Sequence, residues 1–256
     1  MPRYSRVVIK LSGEALAGDA GTGTDPASLA RLAEELLAVQ RLGIELGVVV
    51  GGGNYFRGRM SEGWGIGRAE ADNIGMLGTV MNALMLRGAL TGLGAGDVRV
   101  MSAIPMQSVA EPFIRLRADR HLRRGLIVVM AGGIGQPYVT TDYPSVQRAL
   151  ELEADALLVA KRGTDGVYDR DPNLDPAAKR FTTLTHEETV AARVKIMDES
   201  AFVLASEQKL RMHIFDIAAR GAMRRICQGE DVGTLITTDD PDAHTADKED
   251  WEAKEE

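Results

Sequence analysis

Residues 44–54 have the sequence Ile-Glu-Leu-Gly-Val-Val-Val-Gly-Gly-Gly-Asn, in which an apolar run ends in three glycines. The apolar run, residues 44–50, is typical of a buried strand because it is short and rich in valine. Glycine has no Cβ, so the glycines that follow allow backbone N–H groups to approach a ligand closely. The segment therefore predicts a strand that leads directly into a ligand-binding loop.

Strand-like and helical patterns alternate on both sides of this segment. Further strands are predicted at residues 7–11, 98–101, 126–130, 156–160, 212–217 and 233–237. Helical periodicity is found after the pair Asp25 and Pro26, at residues 68–93, 111–124, 144–152 and 198–207, and near His186. This alternation predicts an α/β fold with a largely parallel central sheet. No internal repeat or linker interrupts it, so we expect one domain over residues 1–238.

The net negative charge of the chain resides in its last eighteen residues. The chain has 30 Lys plus Arg and 37 Asp plus Glu, which gives a formal net charge of −7. Residues 239–256 contain nine acids and two lysines, so residues 1–238 contain 28 charges of each sign. A body without a basic excess argues against a nucleic-acid-binding protein. The tail over residues 239–256 has few apolar residues, and we expect it to be disordered.

Cysteine usage and hydropathy limit the compartment and the metal chemistry. No uninterrupted apolar run approaches the roughly 18 residues of a membrane-spanning helix, and no signal-peptide core follows Met1. The single cysteine, Cys227, allows no internal disulfide and no cysteine zinc site, and the four histidines lack metal spacing. We therefore expect a cytoplasmic protein with no membrane partner and no metal held by the protein alone.

Polar or glycine-rich segments follow five of the predicted strands. They are Lys10-Leu11-Ser12-Gly13, Gly51-Gly52-Gly53-Asn54, Ser102-Ala103-Ile104-Pro105, Gly132-Gly133-Ile134-Gly135-Gln136-Pro137 with Thr140-Thr141-Asp142, and Lys161-Arg162-Gly163. Ligands bind at the carboxyl ends of parallel strands, and exposed amides and lysines suit phosphate oxygens. We therefore expect a site for polyanionic groups at this edge. The glycine spacing matches neither a P-loop nor the full G-x-G-x-x-G pattern.

Seven segments, in order along residues 6–237, resemble the bacterial UMP kinases. They are residues 10–16 (Lys-Leu-Ser-Gly-Glu-Ala-Leu), 48–58, 75–82, 101–105, 135–142 (Gly-Gln-Pro to Thr-Thr-Asp), 165–172 (Asp-Gly-Val-Tyr to Asp-Pro) and 233–237. The resemblance implies the amino-acid-kinase fold, a three-layer αβα sandwich. It also implies transfer of the γ-phosphoryl group of ATP to UMP in pyrimidine nucleotide biosynthesis, with Mg²⁺ bound to ATP, in a homo-oligomer that is typically a hexamer.

The resemblance assigns substrate contacts to residues of this chain. ATP contacts are implied at Lys10, Leu11, Ser12, Gly13, Gly53, Arg57, Arg162, Tyr168 and Asp171. UMP contacts are implied at Gly52, Asp72, Ile134, Gly135, Gln136, Pro137, Tyr138, Val139, Thr140 and Thr141. Arg162 stands where the family often has Thr or Asn, and Ile134 stands where it commonly has Thr.

Four charged residues are the catalytic candidates, namely Lys10, Arg57, Asp142 and Lys161. Lys10 and Arg57 can neutralise charge on the transferring phosphoryl group, and Lys161 is either a second cation there or a strand-end lysine that reaches solvent. Asp142 resembles the family's acid that orients the lysines, and Asp72 suits ribose hydroxyls. No general base is expected, because a phosphate monoester has a second pKa near about 6.

The resemblance also implies regulators. Family members bind GTP as an activator, and the matching positions are Gly18, Asp19, Ala20, Gly21, Thr22 and Gly23, together with Arg87 and Arg99. Thr91 and Leu126 stand where the family has a His and a basic GTP contact. UTP is implied as an inhibitor.

Two other functions are compatible with this fold. A kinase that makes an acyl phosphate from an amino acid would need a carboxylate-binding site in place of Asp72 and residues 135–142. A storage protein for molybdate or tungstate would need no catalytic charges, so the presence of Lys10, Arg57 and Asp142 argues against it.

Overall fold

We describe the protein from a computed structural model, in which residues 2–56, 63–172, 174–191 and 197–238 are described. Arg57 and residues 239–256 lie outside these ranges. The roles predicted for Arg57 and the disorder predicted for the acidic tail therefore stay predictions.

The described residues form nine strands, eight α-helices and one 3-10 turn. The strands are β1 (Arg6–Leu11), β2 (Glu45–Val50), β3 (Val98–Ser102), β4 (Glu111–Pro112), β5 (Ile127–Ala131), β6 (Ala156–Lys161), β7 (Thr183–Thr185), β8 (Met212–Asp216) and β9 (Thr234–Thr237). The helices are α1 (Gly13–Ala17), α2 (Pro26–Gln40), α3 (Arg68–Gly92), α4 (Arg115–Arg123), α5 (Asp142–Glu151), α6 (His186–Ala191), α7 (Glu199–Glu207) and α8 (Ala222–Cys227), and the turn is Gly18–Ala20.

The strands form one sheet with the order β4-β3-β5-β2-β1-β6-β8-β9-β7. All neighbouring strands are parallel except β8 and β9, which are antiparallel. The register pairs Leu11 with Val50 and Lys10 with Val159, so β1, β2 and β6 end at the same edge. The predicted α/β fold with a largely parallel sheet is confirmed.

Apolar side chains fill both faces of the sheet, because successive residues of a strand point to opposite sides. In β1, Val7, Ile9 and Leu11 pack with α2, α3 and α8, whereas Val8 packs with α4, α5 and α7. The resulting layers are helix, sheet and helix. The predicted start of α2 is also confirmed, since Asp25 caps it by accepting the Ser28 N–H at 2.7 Å.

Helix α3 is long and apolar enough, by length and composition alone, to cross a membrane. Its fully buried residues include Ala83, Leu86 and Leu90, which belong to the core on one face of the sheet. Packing against β3 and β5 thus accounts for the hydropathy of this helix.

The structure differs from the sequence predictions at the sheet edges. Residues 111–124 were predicted as one helix, but Glu111–Pro112 forms the edge strand β4 and the helix begins only at Arg115. Proline donates no hydrogen bond, so Pro112 is tolerated in a strand that has one neighbour. The short strand β7, paired with β9, falls in a region that was not predicted to contain one.

Candidate functional site

A buried cluster of opposite charges lies at the carboxyl ends of β1 and β6. The Lys10 Nζ atom lies 3.0 Å from Asp142 Oδ1, and Lys10 is only 7 % exposed. Lys161, at the end of β6, interacts electrostatically with both Lys10 and Asp142. We call Lys10, Asp142 and Lys161 the lysine–aspartate cluster.

The charges of this cluster shift one another's ionisation. Burial opposes ionisation of Asp142, but the neighbouring Lys10 and Lys161 outweigh it and hold the pKa of Asp142 below its usual value. Burial and then the charge of Lys10 lower the pKa of Lys161, which Asp142 and Asp198 partly offset. The acid therefore stays ionised between two cations, an arrangement suited to holding them in place.

Asp198 completes the surroundings of Asp142, although the sequence analysis did not identify it. Its backbone N–H donates to Asp142 Oδ2 at 3.1 Å, and its carboxylate accepts from the Thr140 hydroxyl. Asp198 precedes α7, which packs against α5, where Asp142 is the first residue. No local pattern marks this residue, because its contacts arise from the packing of two helices that are distant in sequence.

Residues 51–54, which we call the glycine loop, pass through a space that excludes side chains. A Cβ on Gly52 would lie 2.8 Å from Thr79 N of α3, and a Cβ on Gly13 would lie 2.7 Å from Gly53 N. Glycine is therefore required sterically at both positions. The loop brings the end of β2 against the end of β1 on one side and against α3 on the other.

A cavity with a volume of about 260 Å³ lies beside the glycine loop. Five of its lining residues were predicted for the UMP site, namely Gly52, Asp72, Val139, Thr140 and Thr141. It is also lined by Phe56, Arg68, Met76 and Thr79, which the sequence analysis did not assign. The four residues predicted at 135–138 do not line this cavity, nor does Ile134, although they belong to the same loop.

Asp72 connects α3 to the loop that precedes Asp142. The Arg68 Nε atom donates to both Asp72 carboxylate oxygens at 2.9 Å, and the Tyr138 N–H donates to Asp72 Oδ2 at 2.8 Å. The Arg68 guanidinium also lies over the Tyr138 ring, 5.9 Å from its centroid. The i,i+4 spacing of Arg68 and Asp72 is the sequence signal that could have identified this pair.

The other residues predicted for ATP lie around the end of β6. Leu11, Ser12, Gly13 and Gly53 adjoin the cluster through β1 and the glycine loop. The Tyr168 hydroxyl donates to Asp165 Oδ1 at 2.5 Å, in the connection between β6 and β7 that also contains Asp171. The Arg162 side chain donates to the Gly18 carbonyl at 2.8 Å and lies 3.1 Å from the Asp19 carboxylate.

The residues predicted to bind GTP fall into two groups within one chain. Residues 18–23 lie beside the glycine loop, where the Gly23 N–H donates to the Asn54 carbonyl at 2.9 Å. Arg87 and Arg99 line a separate cavity with a volume of about 480 Å³. Arg87 lies fifteen residues beyond Asp72 on α3, which corresponds to about 22 Å along the helix. The cavity that Arg87 lines is therefore distinct from the one that Asp72 lines, and the binding of GTP by these residues stays a prediction.

A metal centre built from protein side chains is not found in the described part of the chain. No group of three His, Cys, Asp or Glu side chains there is arranged to hold an ion.

Comparison with known proteins matches residues 5–216 to the model of the amino acid kinase family. A uridylate kinase of Frankia alni is 56 % identical over 238 residues, which cover 93 % of this chain and 93 % of that protein. A uridylate kinase of Pediococcus pentosaceus is 46 % identical over 234 residues, which cover 91 % of this chain and 97 % of that protein.

Solved structures give the same result. The UMP kinase of Bacillus anthracis has a TM-score of 0.90 and 53 % identity, and the match covers 93 % of this chain and 97 % of that one. The UMP kinase of Ureaplasma parvum has a TM-score of 0.86 and 30 % identity over 92 % of this chain and 100 % of that one. The uridylate kinase of Archaeoglobus fulgidus, at 23 % identity and a TM-score of 0.67, shares the fold.

Proposed function

The chain belongs to the amino acid kinase family and, within it, to the uridylate kinases, and on this premise we propose that it is an ATP-dependent UMP kinase. It transfers the γ-phosphoryl group of ATP to the phosphate of UMP and releases UDP and ADP. The observation that carries this function is the position of the glycine loop, between the lysine–aspartate cluster and the cavity that Asp72 lines.

The cluster supplies the charge that phosphoryl transfer requires. Negative charge on the transferring group is spread over its oxygens, and fixed cations stabilise it in the transition state. Lys10 and Lys161 are the cations of the lysine–aspartate cluster, and Arg57 is proposed as a third cation at the transferring group. Asp142 holds the lysines and abstracts no proton, because the UMP phosphate is already ionised near neutral pH.

The two nucleotides lie on opposite sides of the glycine loop in this proposal. ATP lies along residues 10–13 and Gly53, with its base toward Tyr168 and Asp171. UMP occupies the cavity, with its ribose on Asp72 and its phosphate near Gly52, and Val139, Thr140 and Thr141 line it. Residues 134–138, in the same loop, are proposed to contact UMP from outside this lining. Mg²⁺ is proposed to be bound to ATP, where it would neutralise charge on the phosphate oxygens, which are ligands it prefers.

Assembly and regulation follow from the same resemblance. We propose a cytoplasmic homo-oligomer, most simply the hexamer of the family, with residues 1–238 as the catalytic domain. The exposed apolar side chains of Leu77 and Met81 on α3, 45 % and 47 % exposed, support an interface there. GTP is proposed as an activator at the cavity that Arg87 and Arg99 line together with Asp97 and Glu111, and UTP is proposed as an inhibitor. Light scattering tests the proposed assembly, and initial rates with and without GTP or UTP test the proposed regulation.

A coupled ADP-release assay tests the activity itself. We expect UMP to be the preferred acceptor over CMP, dUMP and amino acids, because Asp72 and residues 134–141 match the UMP contacts of the family. The ribose contact of Asp72 disfavours dUMP and amino acids, whereas the preference over CMP depends on residues 134–141. A higher kcat/KM for an amino acid would favour a kinase that makes acyl phosphates. If no acceptor stimulates ADP release, the chain is a nucleotide binder and not a kinase.

A further inference from the structure

Two buried asparagines, Asn54 and Asn82, form a closed pair behind the glycine loop. The Asn82 Nδ2 atom donates to Asn54 Oδ1 at 2.7 Å, and Asn54 Nδ2 donates back to Asn82 Oδ1 at 3.1 Å. Asn54 is 2 % exposed and Asn82 is fully buried. A buried amide is costly unless its polar atoms are hydrogen-bonded, and both amides here are satisfied.

Each asparagine uses its other N–H group on the main chain of a different segment. Asn82, on α3, donates to the Gly51 carbonyl oxygen at 2.7 Å. Asn54 donates to the Gly23 carbonyl oxygen at 2.7 Å, and the Asn54 carbonyl accepts the Gly23 N–H at 2.9 Å. The pair thus ties the glycine loop to α3 on one side and to residues 18–23 on the other.

The end of β1 rests on the main chain that this pair holds. A Cβ on Gly13 would lie 2.7 Å from Gly53 N and 2.9 Å from Asn54 N, so the two segments are in direct contact. Lys10 lies three residues before Gly13. A shift of the glycine loop would therefore reach both the loop amides and the strand that carries Lys10.

We propose that Asn54 and Asn82 are positioning residues for phosphoryl transfer, which hold the amides of Gly52 and Gly53 where the reacting phosphates meet. They act through the main chain of the glycine loop. This inference rests on the function proposed above. Prearranged donors matter most in the transition state, so loss of the pair is expected to lower kcat far more than it raises the KM of either nucleotide.

A double-mutant cycle tests the pair. The variants are Asn54→Ala, Asn82→Ala and the double variant, and kcat, both KM values and Tm are measured for each, with activity assayed well below Tm. Leu86→Ala is the matched control, because Leu86 is fully buried one turn farther along α3 and belongs to the hydrophobic core. Where an alanine variant fails to fold, Asn54→Asp or Asn82→Asp replaces it, since each keeps the acceptor oxygen and loses the N–H donors.

We expect each single variant to lower kcat by roughly tenfold or more, with each KM changed less than about threefold. The double variant should be no worse than the slower single variant by more than about twofold, because residues that act as a unit are not additive. Leu86→Ala should lower Tm and leave kcat nearly unchanged.

Two results would overturn the inference while leaving the kinase proposal intact. The first is a normal kcat in single variants whose Tm falls as it does in Leu86→Ala. The second is a double variant whose loss is the product of the two single losses. Wild-type chain that shows no UMP-dependent ADP release would instead refute the kinase function, and the inference with it, before any variant is compared.

Discussion

The charged groups at the two sides of the glycine loop are held in different ways. Lys10 and Asp142 have side chains that are 9 % and 15 % exposed, and each is the charge partner of the other. The Asp72 side chain, 17 % exposed, is paired instead with Arg68, whose side chain is 54 % exposed. Charges interact strongly where water is excluded, whereas exposed pairs are screened and contribute little to stability.

On the proposed function, this difference separates a region for phosphoryl transfer from one for UMP recognition. The lysine–aspartate cluster is arranged before any ligand arrives, as stabilisation of a transition state requires. The Asp72–Arg68 pair can exchange partners at small cost, as a carboxylate must when it accepts ribose hydroxyls. Changes in the cluster should therefore affect kcat, and changes at Asp72 should affect the KM for UMP.

Lys10→Ala should have the largest effect on kcat of the substitutions considered. We expect kcat to fall on the order of 10²-fold or more, because a cation aimed at the transferring phosphoryl group is lost and Asp142 is left with one lysine. Lys209→Ala, at an exposed position, serves as the control. A Lys10→Ala enzyme with near-normal kcat in the ADP-release assay would remove Lys10 from the mechanism.

Asp142→Asn should lower kcat about tenfold or more, because Lys10 and Lys161 are left without the acid that holds them. The variant should also lose a pH-dependent stability. The pKa of Asp142 is lower in the folded chain than in the unfolded one. Its ionised form therefore stabilises the fold at pH values above the usual pKa of an aspartate. That stability disappears as the pH falls through the folded-state value.

Thermal melts of wild type and Asp142→Asn between pH 7 and pH 3 measure this effect. The Tm difference should be largest at neutral pH and should shrink below about pH 4. A difference that stays constant over this range would show that the charge of Asp142 contributes nothing to folding.

Asp72→Asn should raise the KM for UMP about tenfold and leave the KM for ATP and kcat nearly unchanged, since a recognition contact is weakened. Initial rates over a matrix of both substrates measure the three constants. An effect confined to the KM for ATP would contradict the assignment of the cavity to UMP.

Arg68→Gln should have a smaller effect, about threefold or less on the KM for UMP, because the exposed Arg68–Asp72 pair is weak. The direction is informative. A lower KM would mean that Arg68 competes with UMP for Asp72, and a higher one that Arg68 orients the carboxylate.

Deletion of residues 239–256 should have the smallest effect. We expect unchanged Tm and unchanged assembly at low and high salt. The segment holds nine acids and few apolar residues, so it can bury little apolar surface against the body. A salt-sensitive loss of either would show that the acidic tail docks on the body.

The sequence predicted the parts of the site that strand ends position. Lys10 and Lys161 lie at the carboxyl ends of parallel strands and the glycine loop follows another, so the predicted topology was enough to bring them together. Asp142 and Asp72 were assigned by resemblance, and the structure lays both beside that edge. The family and the kinase activity predicted from these motifs are confirmed.

Contacts that depend on packing between distant elements could not be predicted. Asp198 reaches Asp142 because α7 packs on α5, and nothing in the residues around Asp198 indicates this. Arg162 directly follows β6 but extends toward Gly18, a direction that a strand-end position does not determine. Asn82 lies in an apolar stripe of α3, where a single polar residue gives no indication of its partner.

Helix α3 carries both Asp72 and Asn82 without interruption, with nine residues between them. Each residue added to an α-helix rotates everything beyond it by about 100°. One inserted codon between them would rotate either the Asp72 carboxylate away from the cavity or the Asn82 amide away from the Gly51 carbonyl. The same insertion in the connection between β6 and β7 would turn neither. In genetic terms, the number of codons between 72 and 82 is constrained, so natural insertions and deletions in this gene should occur elsewhere.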